Sequence, residues 1–577
     1  MKRLIALLIA FSLVFSFAGC EVINELLGES VTSDTDTPSD EYGDVTAPDG
    51  DGDKAPDGSG DSTNPDGSGA GTSPDKPDDN GNGSNTEPDD NGSGSNNPDC
   101  EDDKHTDTDN DGFCDDCSVS VIVIVDIFSI NDIHGKISAN STQPGIGGLT
   151  TYLERESDGN AVYLSAGDMW QGTAESGLNH GAFMTDWMSE VGFAAMTLGN
   201  HEYDWGESYI KSNSAIAEFP FLGINVYDTS TGKRAEYASP SVVVSIDGIE
   251  IGIIGAMGDC YSSISGDVKG GFTFKTGSEL TSLVKAEANR LRAAGVDFII
   301  YSVHDGYGSN YSGIKNVSAS DISSYYDSSL SNGYVDLVFE GHTHRSYILR
   351  DSYGVYHLQG GGENSGLSRV EISINSANGN TGVGTPTVVK SSSWSSLPTA
   401  PTVTELISKY SDDITRANEV LGTNSRTRSD SEVEQLVADM YYEFGLKRWG
   451  DRYDIILGGG FIRTRSPYSL KSGTVRYSDI YSLLTFDNQL VLCSIKGSDL
   501  YKKFVNTTNS DYYISSGMSA DELKTTLQNN PNKTYYIVTD TYTSSYTYNG
   551  CTEVARYDSE VYARDLVADY IKKGRLV

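Results

Sequence analysis

Residues 121–135 read VIVIVDIFSINDIHG, an apolar run that ends directly in a polar motif containing Asp132 and His134. The run is rich in valine and isoleucine, which favour β-strands. Four further apolar runs predict strands of the same kind: 161–166, 249–254, 298–303 and 335–339. Between them, residues 280–294 show the period of an amphipathic helix. This alternation predicts an α/β domain in which helices cover the sheets.

Five polar motifs accompany these runs, and they hold five of the eight histidines of the chain. The motifs are Asn131-Asp132-Ile133-His134-Gly135, Gly167-Asp168, Gly199-Asn200-His201-Glu202-Tyr203-Asp204-Trp205-Gly206, His304-Asp305-Gly306 and Gly341-His342-Thr343-His344-Arg345. Taken singly, a histidine after a strand is usually a structural residue, and a Gly-Asp pair is usually a turn. Ligands gather beyond the carboxyl ends of strands in open α/β sheets, so the joint pattern predicts one shared site.

In this order and spacing the motifs resemble those of the calcineurin-like metallophosphoesterases. GNHEYDWG at 199–206, together with the C-terminal half, resembles the 5'-nucleotidase and UDP-sugar hydrolase branch. The resemblance covers residues 122–500, with a weaker tail to 577. It implies a metallophosphoesterase domain of two packed sheets flanked by helices, followed by a smaller α+β domain of the 5'-nucleotidase type.

The resemblance also implies seven metal ligands in two sets that share one carboxylate. The sets are Asp132, His134 and His344 for the first ion, Asn200, His304 and His342 for the second, and Asp168 as the bridge. Such mixed ligands suit zinc, manganese or cobalt better than magnesium. Two ions would lower the pKa of a shared water, and the resulting hydroxide would attack phosphorus in line with the leaving group. In the family, the residue matching His201 faces the phosphoryl group and is held by the aspartate at Asp204.

Two stretches of the C-terminal half resemble the family's substrate-binding segments. Residues 455–463 are similar to NGGGIR, with Gly458 in place of Asn and Phe461 in place of Gly. Arg463, with Arg428, would then meet phosphate or ribose, because a guanidinium matches phosphate oxygens in two-point contact.

Phe486 lies in a stretch, 484–488, that resembles the family's PF-x-N segment, whose phenylalanine stacks on the nucleobase. The competing interpretation of Phe486 is an ordinary core residue. The family's GGDGY-like loop is missing, and Tyr542 or Tyr546 is the candidate replacement for its aromatic residue. The aspartate of that loop has no clear counterpart, so the metal chemistry is better supported than the choice of nucleotide.

Residues 1–20 are typical of a secretory signal: two basic residues, an apolar core and a small-residue cleavage site. The run Phe17-Ala18-Gly19-Cys20 resembles a bacterial lipobox, which predicts lipidation of Cys20; the alternative is a conventional signal peptide and a secreted enzyme. The net charge of −41 is concentrated in residues 21–118, where 29 acidic residues stand against 3 lysines. The Asp/Gly/Ser/Pro-rich run to residue 99 is typical of a solvated tether, on the order of 50 Å end to end. An acidic interaction tail is the alternative.

Residues 100–117 read CEDDKHTDTDNDGFCDDC and contain two overlapping patterns. Cys100, His105, Cys114 and Cys117 have the spacing of a small zinc knuckle, while Asp107, Asp109, Asp111 and Gly112 match the first half of a calcium loop. Ser118 stands where that loop needs a bidentate Glu. A disulfide to Cys100 competes with either metal. The remaining cysteines, Cys260, Cys493 and Cys551, are scattered and predict no disulfide framework.

We therefore predict six segments. They are a signal peptide (1–20), a tether (21–99), a Cys/His/Asp-rich module (100–118), a metallophosphoesterase domain (119–390), a linker with a connecting helix over 403–420 (391–422) and a nucleotide-binding domain (423–577).

The predicted function is hydrolysis of nucleotides by an exported enzyme, attached by lipid alone to the outer face of a bacterial cell membrane. Alternatives with the same chemistry are a nucleotide-sugar hydrolase, a 2',3'-cyclic phosphodiesterase or a phosphatase for non-nucleotide esters. An alternative of another class is a surface adhesion protein with a degenerate enzyme domain, but the intact ligand set argues against it. We expect no nucleic-acid partner, and the sequence predicts no particular oligomeric state.

Overall fold

The computed structural model describes residues 104–139, 144–157, 159–264, 268–318, 322, 326–460, 469–506, 513–546, 548, 550–558 and 561–576. Several predictions fall outside the described residues: the signal sequence with Cys20, the tether, Cys100, Arg463 and the side chain of Tyr546. Within the described part of the chain, no helix combines the length and the apolar composition that a membrane span requires.

The first part of the described chain alternates strands and helices, as predicted. Its strands are β1 (Ile122–Ile130), β2 (Ala161–Ser165), β3 (Phe193–Thr197), β4 (Phe221–Leu222), β5 (Val226–Asp228), β6 (Ser241–Ile246), β7 (Ile249–Met257), β8 (Phe272–Phe274), β9 (Phe298–His304), β10 (Ile314–Asn316), β11 (Leu337–Glu340), β12 (Ser346–Arg350), β13 (Tyr356–Gly360), β14 (Gly366–Asn375), β15 (Thr381–Val383) and β16 (Thr387–Lys390). Its helices are α1 (Ile146–Glu156), α2 (Ala174–Gly177), α3 (Ala182–Val191), α4 (Glu207–Ile216) and α5 (Gly277–Ala293).

Fourteen of these sixteen strands form two seven-stranded sheets, and the other two, β5 and β8, pair with each other. The first has the order β15-β14-β1-β2-β3-β4, with β16 also paired to β14, and β1 to β4 run parallel. The second has the order β10-β12-β13-β11-β9-β7-β6, in which β7, β9, β11 and β13 run parallel. The parallel strands of each sheet therefore direct their carboxyl ends, and the loops that follow them, to one edge.

The two sheets pack face to face, because their strands alternate between an inner and an outer face. Ile127 of β1 and Ile300 of β9 belong to one buried cluster that joins both sheets. The next residue along β1, Phe128, points to the other side and packs in a cluster with Trp187 of α3. Leu291 of α5 covers the outer face of the second sheet. The predicted α/β architecture of two packed sheets flanked by helices is confirmed.

The second part of the chain forms a smaller mixed domain. Its strands are β17 (Val420–Asn424), β18 (Ile455–Gly460), β19 (Gly473–Arg476), β20 (Leu490–Lys496), β21 (Tyr513–Ser515), β22 (Thr534–Asp540) and β23 (Thr552–Arg556). Its helices, with the two that lead into it, are α6 (Pro401–Lys409), α7 (Ser411–Ala417), α8 (Asp430–Trp449), α9 (Tyr477–Leu483), α10 (Gly497–Asn506), α11 (Ala520–Asn529), α12 (Thr541–Tyr546) and α13 (Ala563–Lys572). Five strands form a sheet in the order β21-β18-β22-β20-β23, and β17 pairs with β19.

The predicted single helix over 403–420 is wrong. The segment forms two helices that meet at Tyr410, and Val420 already belongs to β17, where it pairs with Arg476. The Tyr410 hydroxyl donates to Asp186 over 2.6 Å, and its ring packs against Phe183. This tertiary contact with α3 accounts for the break, because helical periodicity alone gives no sign of it.

Candidate metal centre

The predicted ligands sit at the carboxyl ends of parallel strands from both sheets. Asp132 and His134 follow β1, Asp168 follows β2, and Asn200 begins a short 3-10 helix after β3. His304 is the last residue of β9, in the second sheet. His342 and His344 follow β11 of the same sheet. Five segments that are far apart in sequence therefore reach one edge of the sandwich.

Five of the seven predicted ligands have a left-handed backbone, which is uncommon for residues other than glycine. Their φ angles are 51° for Asp132, 54° for His134, 56° for Asp168, 69° for His342 and 55° for His344. Such conformations cost of order 1–3 kcal/mol each and cluster at functional sites. The concentration of strain on these residues supports a functional role for the cluster.

Two glycines allow the loops to approach one another. Gly167 has a φ of 95°, and a Cβ on it would lie 2.6 Å from Nδ1 of His304. A Cβ on Gly341 would lie 2.6 Å from the carbonyl oxygen of Ala166. Both distances are too short for a side chain, which explains why glycine precedes a predicted ligand in both motifs.

The structure brings the first predicted set together. Nε2 of His134 lies 2.9 Å from Nε2 of His344. Oδ1 of Asp132 lies 3.4 Å from Nε2 of His344 and 3.9 Å from Nε2 of His134. Asp132 and His134 are buried, whereas the His344 side chain is 38% exposed. Solvent and substrate can therefore approach the first set from the side of His344.

The second predicted set also converges, around the amide oxygen of Asn200. That oxygen lies 3.2 Å from Nε2 of His304 and 2.9 Å from Nδ1 of His342. Oδ2 of Asp168 lies 3.1 Å from Nε2 of His304, and the Asp168 carboxylate also lies among ligand-forming atoms of Asp132 and His134. Asp168 thus contacts both sets, in the position of the predicted bridge.

The orientation of two imidazoles fits a pair of cations. Nδ1 of His134 donates to the carbonyl oxygen of Gln171 over 2.9 Å, and Nδ1 of His304 donates to that of Ala166 over 2.7 Å. Because a carbonyl can only accept, Nδ1 of each ring carries a proton, and Nε2 faces the other predicted ligands. Anchoring of the second ring nitrogen in this way is typical of metal-ligating histidines.

The electrostatics of the cluster favour positive charge. Burial by itself opposes a charged His304, yet the carboxylates of Asp168 and Asp132 raise its pKa to about 10. Burial likewise opposes an ionised Asp168, but the neighbouring imidazoles hold its pKa well below the usual range. Burial and the charge of His304 lower the pKa of His342 to about 4. The carboxylates of Asp168 and Asp132 therefore favour a cationic group beside them, while burial and the charge of His304 disfavour protonation of His342.

His201 and Asp204 form the predicted pair beside the cluster. Nδ1 of His201 lies 2.6 Å from Oδ2 of Asp204, and the His201 ring stands edge-on to that of His134 at 5.2 Å. The backbone N–H of His201 donates to Oδ1 of Asp168 over 2.8 Å. The His201 side chain is 18% exposed, so it borders the solvent side of the centre.

Glu202 is a residue of the site that the sequence analysis did not single out. It is fully buried, and its carboxylate accepts N–H groups from Asp168, Met169, Trp170 and Gly199 at distances of 2.7–3.3 Å. Burial and the charge of Asp168 raise its pKa to about 7. Glu202 therefore joins the loop after β2 to the loop after β3. Its position inside the GNHE motif is the sequence feature from which it could have been predicted.

Two further residues near the cluster, Gln359 and Cys260, could not be identified from the sequence. Gln359 of β13 accepts the N–H of Arg345 over 2.7 Å and donates to the carbonyl of Gly341 over 2.7 Å, so it holds both ends of the loop that carries the histidine pair. Cys260 has a thiol grouped with ligand atoms of His304 and His342. Neither residue lies in one of the five motifs, so neither could be predicted to lie near the site.

The predicted substrate residues belong to the smaller domain. Arg428 is buried, and its Nε donates to Oδ1 of Asn424 over 3.2 Å. Phe486 and Tyr542 are half-buried. Asp540, two residues before Tyr542, is buried and caps α12 by accepting the N–H of Thr543 over 2.7 Å.

The loop that carries Phe486 lies where the two domains meet. Arg564 donates to the carbonyl oxygen of Phe486 over 2.9 Å and pairs with Asp487. Oδ2 of Asp487 lies 3.8 Å from Nε2 of His180, which belongs to the first domain. These contacts tie the loop to a residue that lies between α2 and α3.

A second contact links the domains closer to His201. The Tyr481 hydroxyl approaches α2 so closely that a Cβ on Gly177 would lie 1.8 Å from it. Burial raises the pKa of Tyr481, and the charge of Asp204 contributes in the same direction. Asp204, and with it the His201 pair, therefore lies within electrostatic reach of the second domain.

Comparison with known proteins finds similarity to 5'-nucleotidases. The family described as "5'-nucleotidase, C-terminal domain" matches residues 413–549. A 5'-nucleotidase of Vibrio cholerae is 30% identical over 225 residues, which cover 38% of this chain and 39% of that protein. A 5'-nucleotidase of Mus musculus is 25% identical over 428 residues, covering 66% of this chain and 71% of that protein. Over these regions the chain is similar to members of the 5'-nucleotidase family.

The fold of the chain agrees with that of a solved structure. A 5'-nucleotidase precursor from Thermus thermophilus superposes with a TM-score of 0.57 at 18% identity, covering 79% of this chain and 97% of that one. The match shows a shared fold. Another relative, an endonuclease of Bacillus subtilis named YhcR, is 25% identical over 67% of this chain. The aligned region spans 39% of the Vibrio protein and 33% of the Bacillus protein, so the chain covers less than half of these two relatives.

Proposed function

We propose that this protein is an exported phosphoesterase that uses two divalent metal ions to hydrolyse nucleotides. The observation that carries the proposal is the convergence of seven predicted ligands, from five separate loops, around Asp168. The proposed ions are zinc, manganese or cobalt, since imidazole and carboxylate ligands suit them. Bound there, two such ions would lower the pKa of a water and offset charge on the phosphoryl oxygens.

The residues of the chain have distinct tasks in this proposal. Asp132, His134 and His344 hold one ion, and Asn200, His304 and His342 hold the other, with Asp168 shared between them. His201 donates a hydrogen bond to a phosphoryl oxygen, and Asp204 keeps its ring oriented through the 2.6 Å contact at Nδ1. A proton held on Nε2 of His201 would then face the developing negative charge.

Support for a nucleotide substrate comes from the smaller domain. Phe486 is half-buried in a loop at the domain contact, where Arg564 and Asp487 hold the backbone around it. A partly exposed aromatic ring offers a stacking surface for a base. We propose that Phe486 stacks on the nucleobase and that Arg428, Arg463 and Tyr546 lie on the phosphate and ribose side.

A specific observation favours a second candidate, a phosphatase or phosphodiesterase for other esters. Asp540 is 4% exposed and caps α12, so the segment that replaces the family's glycine-rich loop offers no carboxylate for ribose. A site without that contact depends less on the nucleoside part of its substrate.

A substrate panel distinguishes the candidates. Purified enzyme is assayed with AMP, UDP-glucose, 2',3'-cAMP and an aryl phosphate, beside elemental analysis of the same preparation. We expect the highest kcat/KM on a nucleotide. A preference for the aryl phosphate over every nucleotide would favour the second candidate and contradict the first.

Asp168→Asn is the inactive control for that panel. The substitution keeps the side-chain shape but removes the charge shared by both ligand sets. We expect activity to fall by more than the roughly 10–100-fold typical of weakening a residue that supports a ligand. Circular dichroism should show an unchanged fold, and full activity of the variant would contradict the bridging role.

Export and anchoring form a separate part of the proposal, which rests on residues 1–20. We propose that Cys20 carries the lipid. Cys20→Ser should move the enzyme from the membrane fraction of expressing bacteria to the soluble exported fraction. Unchanged membrane association of the variant would contradict lipidation at this residue.

A further inference from the structure

We propose that His105, Cys114 and Cys117 form a structural zinc site, separate from the candidate metal centre, that fixes the residues preceding β1 to the first sheet. The ligand atoms of these three residues lie within 4.8 Å of one another. Sγ of Cys117 is 3.4 Å from Nδ1 of His105. Cys114 and Cys117 are 2% and 7% exposed.

The local backbone holds the two thiols on the same side of a tight turn. The N–H of Ser118 donates to the carbonyl of Cys114 over 2.8 Å, and Ser118 has a left-handed φ of 59°. The N–H of Cys114 donates to the carbonyl of Val119 over 2.9 Å, which turns the chain back on itself. Cys-x-x-Cys in such a turn is a recurrent half of structural zinc sites.

The turn is packed against the first sheet. Cys114 and Cys117 form a small buried cluster with Val121, against which Ala377 packs. The N–H of Val121 donates to the carbonyl of Gly112 over 3.0 Å. A zinc ion at the two thiols would therefore cross-link residues 105–117 where the chain enters β1.

Three asparagines, at the end of β14 and in the turn that follows it, hold the other side of this module. Nδ2 of Asn375 donates to Oδ2 of Asp107 over 2.6 Å. Nδ2 groups of Asn378 and Asn380 donate to Oδ1 of Asn110 over 2.9 and 2.8 Å. The module is thus built onto the sheet, and its ligands are held near one another before an ion binds.

The donor atoms decide between zinc and calcium. Two sulfurs and one imidazole nitrogen suit zinc, whereas calcium takes six to eight oxygen ligands. The aspartates of the calcium-like pattern already serve as turn caps. Asp107 accepts the N–H groups of Asp111 and Gly112 at 3.1 Å, and Asp111 accepts that of Phe113 over 2.9 Å. The proposed site uses the three described ligands, and Cys100 remains a sequence prediction for the fourth.

Zinc release by a thiol reagent tests this proposal on the full-length protein. Zinc-loaded enzyme is treated with an organomercurial, which displaces zinc from thiolates, and the freed zinc is measured with a chromogenic chelator. We expect wild type to release one equivalent of zinc. The double variant Cys114→Ser/Cys117→Ser should release none, while its hydrolase activity persists.

Two matched variants make the result specific. Cys551→Ser removes a thiol that neighbours Cys493 in the smaller domain, and it should leave the release unchanged. Asp168→Asn should also release one equivalent, so failure of the catalytic proposal would not affect this readout. Cobalt-loaded wild type gives an independent signal, a thiolate-to-cobalt charge-transfer band, which His105→Asn should shift.

Three outcomes would overturn the proposal. One is a wild type that releases no zinc and carries a Cys114–Cys117 disulfide by mass spectrometry. Another is retention of calcium, with no zinc, by the Cys-rich module. The third is release of zinc from the double variant equal to that from wild type.

Discussion

At the residue scale, the proposed function assigns the pair of His201 and Asp204 to stabilisation of the reaction and seven other residues to binding of the ions. Neither residue belongs to the proposed ligand sets, yet His201 stands edge-on to His134 and its backbone donates to Asp168. Removal of the imidazole should therefore affect turnover while the ions remain bound.

His201→Gln tests this separation. We expect kcat to fall about 10²–10⁴-fold, the usual range for loss of a positioned proton donor, with KM nearly unchanged. Metal content should equal that of wild type by elemental analysis. Asp204→Asn should give a smaller loss in kcat and a shifted pH profile, because the ring stays in place but loses its carboxylate partner. Loss of bound metal in His201→Gln would contradict the assignment.

Residue types and spacing predicted one shared site, and the resemblance to the metallophosphoesterases supplied its seven proposed ligands. These ligands lie at or just after the ends of β1, β2, β3, β9 and β11. The left-handed backbone of Asp132 or His344 could not be predicted, because it depends on how loops from two sheets close on each other. For the same reason Cys260 appeared unrelated to the site until the chain was folded.

At the scale of elements, the loops are held by residues that touch no substrate. Glu202 joins the loops after β2 and β3 through four backbone N–H groups, and Gln359 joins the ends of the loop after β11. Such supporting contacts commonly set the affinity of a metal site.

Glu202→Gln should weaken the site without removing a proposed ligand. The amide replaces one acceptor oxygen with a donor that faces backbone N–H groups. We expect metal affinity and activity to fall about 10–100-fold, with partial rescue by excess metal. Glu190→Gln, an exposed position on α3, is the matched control and should behave as wild type. Wild-type metal affinity of Glu202→Gln would contradict the positioning role.

The strands were predicted well at this scale because valine and isoleucine runs end at polar motifs. The single helix over 403–420 was predicted wrongly, because the helical spacing of its apolar residues continues across Tyr410. The break there depends on Asp186 and Phe183, more than 220 residues earlier in the chain. Contacts of this kind leave no local pattern.

At the scale of the whole molecule, the proposed function depends on the contacts between the smaller domain and the first domain. Asp487 and His180, and likewise Tyr481 and α2, belong to different domains and lie together. Neither pair could be predicted, because neither residue type nor spacing links these positions.

Phe486→Ala tests whether the second domain binds the nucleobase by stacking. Stacking of a base on an aromatic ring is worth about 1–3 kcal/mol, so KM for AMP should rise roughly 5- to 150-fold. KM for an aryl phosphate without a base should change little. Tyr353→Ala removes an exposed ring from the far end of the β12–β13 hairpin and serves as the control. Equal effects of Phe486→Ala on both substrates would show a structural role instead.

Two cations are proposed to share Asp168, and anomalous diffraction from crystals grown with zinc or manganese would locate them directly. We expect two peaks about 3.5–4 Å apart, one beside Asp132, His134 and His344 and the other beside Asn200, His304 and His342. A single peak, or none, in crystals of fully active enzyme would contradict it.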